Sequence, residues 1–150
     1  MSAYHSIVVG TDGSTTALRA VQRAAQVARD AQARLVIVSA YTPASREDVD
    51  VAEEALGDES FLVRGSTPAE ENLRVAAAAA KELGVEEIFT QAVDGAPVDV
   101  LRKAVLDHRA DLLVVGNRGL NTLTGRVLGS VPSAAARTAG ADVLIVHTTS

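Results

Sequence analysis

Leu112-Leu113-Val114-Val115-Gly116-Asn117-Arg118-Gly119 opens the stretch that decides the fold, and Gly129-Ser130 closes it after nine further residues. The aliphatic run before Gly116 reads as a strand buried on both faces. Val131-Pro132-Ser133-Ala134-Ala135-Ala136-Arg137 reads as the first turns of a helix. A strand, a glycine-punctuated loop of G-x2-G-x9-G-S spacing and a helix start together make an anion cradle. Glycines let backbone N–H groups approach a phosphate, and the helix N-terminus adds partial positive charge. The spacing is not a Walker A loop, which needs Lys before its Ser/Thr, because Gly129 precedes Ser130 and the loop holds no Lys. Nor is it the dinucleotide fingerprint, whose glycines cluster within about six residues. Local chemistry leaves a second reading open: Gly116 ends a strand, Gly119 and Gly125 make turns, and Gly129 relieves a helix start.

Outward from this stretch, Val- and Ile-rich runs recur at 6–11, 34–41, 86–92 and 142–147. Their near-continuous hydrophobicity predicts strands of a parallel sheet covered on both faces. Helical patterns lie between them. Ala17, Val21, Ala24 and Ala28 share one face of the first. Thr67-Pro68-Ala69-Glu70 predicts the start of the second, with Thr67 as N-cap, Pro68 at the first helical position and Glu70 completing a capping box. Leu73, Ala76, Ala77, Ala80 and Leu83 form its core stripe, and Gly84 is placed to end it. The third begins near Pro97, with Val98, Leu101 and Val105 inward. The fourth begins at Ser130 and stops near Gly140. Alternating units of this kind predict an α/β fold: one open, parallel five-stranded sheet with helices on both faces, Rossmann-like. Residues 43–60 break the rhythm with seven acids, Pro43 and Gly57. They read as an acidic connector in which Val49, Ala52 and Leu56 could make one short helix.

The 150 residues suit a single domain spanning 1–150. Hydrophobic residues make up 47% but aromatics only 3%, so Ala, Val and Leu must fill the core. Net charge is −5 and no basic run stands out, which argues against nucleic acid as a partner. With no cysteine, disulfide scaffolds and thiolate metal sites are excluded. His5, His108 and His147 lack metal-ligand spacing, so no metal site is expected. The chain shows no signal-type h-region and no apolar run of about 18 residues, so neither export nor a membrane span is expected, and a cytoplasmic location is.

Three motifs in order carry a resemblance to the universal stress protein family. Ile7-Val8-Val9-Gly10-Thr11-Asp12-Gly13-Ser14 before an Ala-rich helix is similar to the family's first strand and turn. The Gly116–Ser130 spacing is similar to its nucleotide loop, and Asp142-Val143-Leu144-Ile145-Val146-His147 to its last strand. Gly95-Ala96-Pro97-Val98-Asp99 and Leu128-Gly129-Ser130-Val131-Pro132 resemble small actinobacterial members, which include cyclic-AMP-binding proteins.

The resemblance implies the strand order 3-2-1-4-5, with a switch point between the first and fourth strands. Ligands of such sheets bind beyond the C-terminal strand ends at that point. It implies a nucleotide site built from Gly10, Thr11, Asp12, Ala40, Gly116, Asn117, Arg118, Gly119, Leu120, Asn121, Thr122, Gly129, Ser130 and Val131. Asp12 would lie at the ribose, since a carboxylate accepts from a hydroxyl and repels phosphate; on local grounds Asp12 or Ser14 could equally be a helix cap. Small Ala40, at the end of the second strand, would leave room for adenine beside exposed main chain. Gly119, Gly129 and Ser130 would surround phosphate.

The ligand implied is cyclic AMP or ATP, with Mg²⁺ where ATP binds, and no covalent cofactor. A stress or signalling regulator that senses or sequesters cyclic AMP is the leading expectation. Weak ATP hydrolysis and an interaction protein with an empty cleft are the alternatives. No catalytic residue is assigned: phosphoryl transfer leans on placed cations and a water-orienting group, and the loop, with Arg118 and Arg126 as its only cations, lacks a Lys and has no evident general base beside it. A receiver-domain reading fails for want of an acidic cluster and a late Lys. The last strand would lie at a sheet edge, and the resemblance implies a homodimer through 142–147.

Overall fold

The computed structural model describes residues 3–42, 63–64, 66–116 and 140–147. The elements run β1 Ser6–Gly10, α1 Thr15–Ala31, β2 Arg34–Thr42, β3 Val63–Arg64, α2 Ser66–Glu82, β4 Ile88–Asp94, α3 Pro97–Asp107, β5 Leu112–Gly116 and β6 Asp142–Val146. The five long strands pair in parallel as β4-β2-β1-β5-β6. That is the expected order 3-2-1-4-5.

The two-residue β3 was not expected. It pairs with Tyr41 and Thr42 of β2, where β2 outruns β1. Asp94 of β4 already pairs with Tyr41. Each strand residue has two edges, so β3 takes the one that β1 vacates.

Alternation along the strands divides the core in two. Ile7, Val9, Leu35, Ile37, Leu112 and Val114 face α1 and α2, meeting Val21, Ala24, Ala28, Leu73, Ala76 and Ala80. Val8, Val36, Val38, Leu113 and Val115 face α3, meeting Val100, Leu101, Ala104 and Val105. Alanine dominates the helix side of the first core, so the helices sit low on the sheet and few aromatics are needed. Ser6–Val9 of β1, Leu35–Ser39 of β2 and Leu112–Val115 of β5 are buried. The expectation of two-sided burial fails for β4 and β6, because each pairs with one strand among the described residues and leaves Phe89 46% and Ile145 39% exposed.

The helices end alike. Ala33 N–H bonds the Ala28 carbonyl and Gln32 N–H the Arg29 carbonyl at the end of α1; Val85 to Ala80 and Gly84 to Lys81 repeat the pattern after α2, and Ala110 to Val105 and Arg109 to Leu106 after α3. These are Schellman ends, whose turning residue adopts positive φ. It is Gly84 (φ 98) after α2, as expected, but Gln32 (φ 56) and Arg109 (φ 50) after the others.

Two helix starts also resolve. Ser14, not Asp12, caps α1: its side chain accepts from Ala17 N. Helix α2 begins at Ser66, so Thr67 lies inside the first turn and not at the cap. Pro68 is tolerated there because the first four N–H groups of a helix lack intrahelical partners.

The N-terminal strand ends are tied by side chains. Asp111 Oδ1 accepts from the backbone N–H of His5 and Ser6, each at 3.1 Å, and Oδ2 from His5 at 2.9 Å. Arg34 donates to the His108 carbonyl at 2.7 Å and to Ser6 Oγ at 3.1 Å. Tyr4 donates to Asp142 Oδ2 at 3.0 Å, joining the start of the chain to β6. That hydrogen bond, with desolvation and the charges of Asp142 and Asp111, raises the Tyr4 phenol above its ordinary pKa.

Candidate functional site

The opposite, C-terminal ends of the strands carry the candidate site. Val9 pairs with Val114, so Thr11 and Gly116 stand level, each two residues further on. Gly10 pairs with Val38, which sets Ala40 two residues beyond on β2. Gly10, Thr11, Asp12, Ala40 and Gly116 therefore gather at the ends of three adjacent strands. Chain direction splits here: α1 leaves β1 on one face of the sheet, and α3, which leads into β5, packs on the other. This is the switch-point crevice where open α/β sheets bind ligands. Asn117, Arg118, Gly119, Leu120, Asn121, Thr122, Gly129, Ser130 and Val131 lie outside the described residues, as do the fourth helix pattern and the acidic connector.

The turn after β1 is held from several sides. Thr11 N–H bonds the Val38 carbonyl at 2.9 Å, so the chain stays beside β2 for one residue past the strand. Thr11 Oγ1 accepts from Gly13 N at 3.1 Å, and Asp12 Oδ1 accepts from Ser14 N at 2.9 Å. The Asp12 carboxylate thus closes an Asx turn immediately before the N-terminus of α1, where the helix dipole favours its charge. Gly13 has φ 84. The carboxamide of Asn72, from α2, fills the place where a Cβ on Gly13 would stand.

Gly10 is crowded from the other face: a Cβ there would come 3.1 Å from Leu101 Cδ2 of α3. At the end of β2, Ala40 is half-buried and Ser39 fully buried. Among the described residues, the Ser39 hydroxyl has no hydrogen-bond partner. Gly95 (φ 145) donates to the Tyr41 carbonyl, fixing the turn from β4 to α3 beside this edge.

Sequence reasoning missed Asn72. It lies mid-helix beside the core positions Ala69, Leu73 and Ala76, and helical periodicity cannot say which turn of another segment it meets. Gly13 was the available signal, since a glycine after Asp12 marks either a positive φ or a close neighbour, and here it marks both. His108 Nε2 pairs with Gln91 Oε1 at 3.2 Å, and the His5 backbone N–H binds Asp111. No group of three or more metal-ligand side chains forms among the described residues.

A doubly wound parallel sheet with a glycine-rich crevice at its switch point defines the class. Within it, the chain belongs to the universal stress protein family, whose model matches residues 3–147. Universal stress protein Rv1636 of Mycobacterium tuberculosis is 51% identical over 149 residues, 99% of this chain and 100% of that protein. A crystal structure of a universal stress protein in complex with cAMP superposes with TM-score 0.79 at 44% identity, over 99% of this chain and 100% of that one. The crystal structure of Rv1636 itself superposes with TM-score 0.64 at 43% identity, over 99% of each chain.

Proposed function

We propose that this chain is an adenine-nucleotide-binding regulatory module that takes cyclic AMP in the switch-point crevice and is also able to bind ATP, acting in the cytoplasm. The observation that carries the reading is the convergence of the Thr11–Ser14 turn, the Ala40 edge and Gly116 on one crevice. The relative solved with cAMP, 44% identical over nearly the whole chain, supports it. Adenine lies against the main chain at Ala40, ribose at Asp12, and phosphate at the loop that carries Gly119, Gly129 and Ser130. A loop with backbone donors and no Lys suits a compact monoanion better than a triphosphate. The same deficit favours binding over hydrolysis, since phosphoryl transfer needs placed cations.

The partner is a second copy of this chain, joined through β6. Its outer edge has no pairing strand among the described residues, and Ile145 beside it is 39% exposed. A bare apolar edge is an aggregation hazard that two-fold pairing removes.

Calorimetric titration with cyclic AMP and ATP, with and without Mg²⁺, tests the ligand. Cyclic AMP is expected to bind at least as tightly as ATP in Mg²⁺-free buffer and to be nearly indifferent to the metal, with neither nucleotide turned over. Much tighter ATP binding, or sustained hydrolysis by homogeneous protein, would replace the cyclic AMP reading with an ATP switch.

A further inference from the structure

We propose that Asn72 is a positioning residue for the nucleotide site: it wedges the Thr11–Ser14 turn from α2 and so sets the Asp12 carboxylate. The inference rests on the nucleotide-binding reading and adds to it a residue outside the crevice motifs. Gly13 turns with φ 84, and the Asn72 carboxamide occupies the space where any other residue would carry its Cβ. The amide is therefore in close contact with the backbone between Asp12 and Ser14.

The wedge is anchored. Ala69, Leu73 and Ala76, three before, one after and four after Asn72 on the same helix, are 0%, 4% and 1% exposed. Asn72 is half-buried beside these core positions, so the packing of the helix holds its Cα against the turn. Within the turn, the bonds Gly13 N to Thr11 Oγ1 and Ser14 N to Asp12 Oδ1 are local, spanning two residues each. Such bonds fix the turn's shape but not its place over the sheet. Placement comes from Thr11 N to the Val38 carbonyl on one side and from Asn72 on the other. With the wedge gone, the turn can relax towards α2 and carry Asp12 out of line with its ligand hydroxyl. Catalytic and binding groups lose much of their effect when displaced by about 1 Å.

Because the contact is one of volume, the branched side chain of leucine should preserve it and alanine should not. The test is calorimetry with cyclic AMP on Asn72→Ala, Asn72→Leu, Asp12→Ala and the double variant Asp12→Ala/Asn72→Ala, with a ligand-free thermal melt of each. Asn72→Ala is expected to weaken binding by about 3- to 30-fold, inside the range for coupled neighbours. Asn72→Leu should stay within about twofold of the unaltered protein on the same principle. In the Asp12→Ala background, Asn72→Ala should cost nothing further. Unchanged affinity in Asn72→Ala overturns the proposal, as does a loss that adds fully to that of Asp12→Ala, or a leucine variant as weak as alanine. A lowered melt with unchanged affinity shows structural packing only and also overturns it. If the unaltered protein binds no adenine nucleotide, the functional reading falls and this inference falls with it. If it binds and Asn72→Ala matches it, this inference alone falls.

Discussion

Gly13 concentrates two requirements in one position. Its φ of 84 lies where L side chains are strained, and its missing Cβ admits Asn72. Gly13→Ala should therefore destabilise the fold by roughly 1–3 kcal/mol, the cost of a non-glycine residue in such a conformation. Adding Asn72→Ala should recover only the steric part, leaving the backbone part in place. Urea unfolding of the two variants checks this, and a midpoint for Gly13→Ala equal to that of the unaltered protein would contradict it. The turn itself could be read from Gly10-Thr11-Asp12-Gly13-Ser14, because glycine, Asx and cap chemistry is local. Which of Asp12 and Ser14 caps α1 could not, since both carry a suitable oxygen; the geometry divides the work, Ser14 to Ala17 N and Asp12 to Ser14 N. Asn72 stayed hidden because its partner is distant in the chain.

At the scale of elements, Schellman ends repeat at Gln32, Gly84 and Arg109, yet only one uses glycine. For L residues the left-handed conformation costs roughly 1–2 kcal/mol, and glycine gives back part of that gain in unfolded-state entropy, about 0.5–1 kcal/mol. Gln32→Gly and Arg109→Gly should each stabilise the protein by about 0.5–1 kcal/mol on that balance. Chemical denaturation measures it, and a loss of stability in both would show that the side chains contribute more than the backbone saves. The same motif explains a misplaced strand. A strand over 86–92 is expected from the apolar run, but Val85 is drawn into the end of α2, and β4 starts two residues later, at Ile88. Gly84 flagged that helix end in sequence; Gln32 and Arg109 gave no such sign. Strand β3 escaped notice because a two-residue pairing has no periodicity to detect.

For the whole molecule, the order 3-2-1-4-5 was reached through the family resemblance. Alternation of strand and helix patterns implied a parallel sheet but left the order of its strands open. Five residues of the candidate site, Gly10, Thr11, Asp12, Ala40 and Gly116, stand at neighbouring strand ends as that order requires. The sheet's two outer strands correct the reading of burial: β6 (DVLIV) is nearly as aliphatic as β5, whereas Thr90 and Gln91 already interrupt the apolar run of β4. The exposed edge of β6 predicts a dimer. Light scattering across micromolar concentrations should give twice the chain mass, and Ile145→Lys should shift it towards the monomer, since charge on an edge opposes pairing. A monomeric mass for the unaltered protein would contradict the interface. No described helix is long and apolar enough to cross a membrane.

Every functional prediction depends on an adenine nucleotide binding at the C-terminal ends of β1, β2 and β5. Titration of isotope-labelled protein with cyclic AMP, followed by amide chemical shifts, tests it most directly. Saturable shifts are expected at Gly10–Ser14, Ser39–Tyr41 and Gly116, with Gln32, Gly84 and Arg109 at the far end of the sheet unmoved. No saturable shift with cyclic AMP, ATP, ADP or AMP, or shifts centred on the far end, would contradict it.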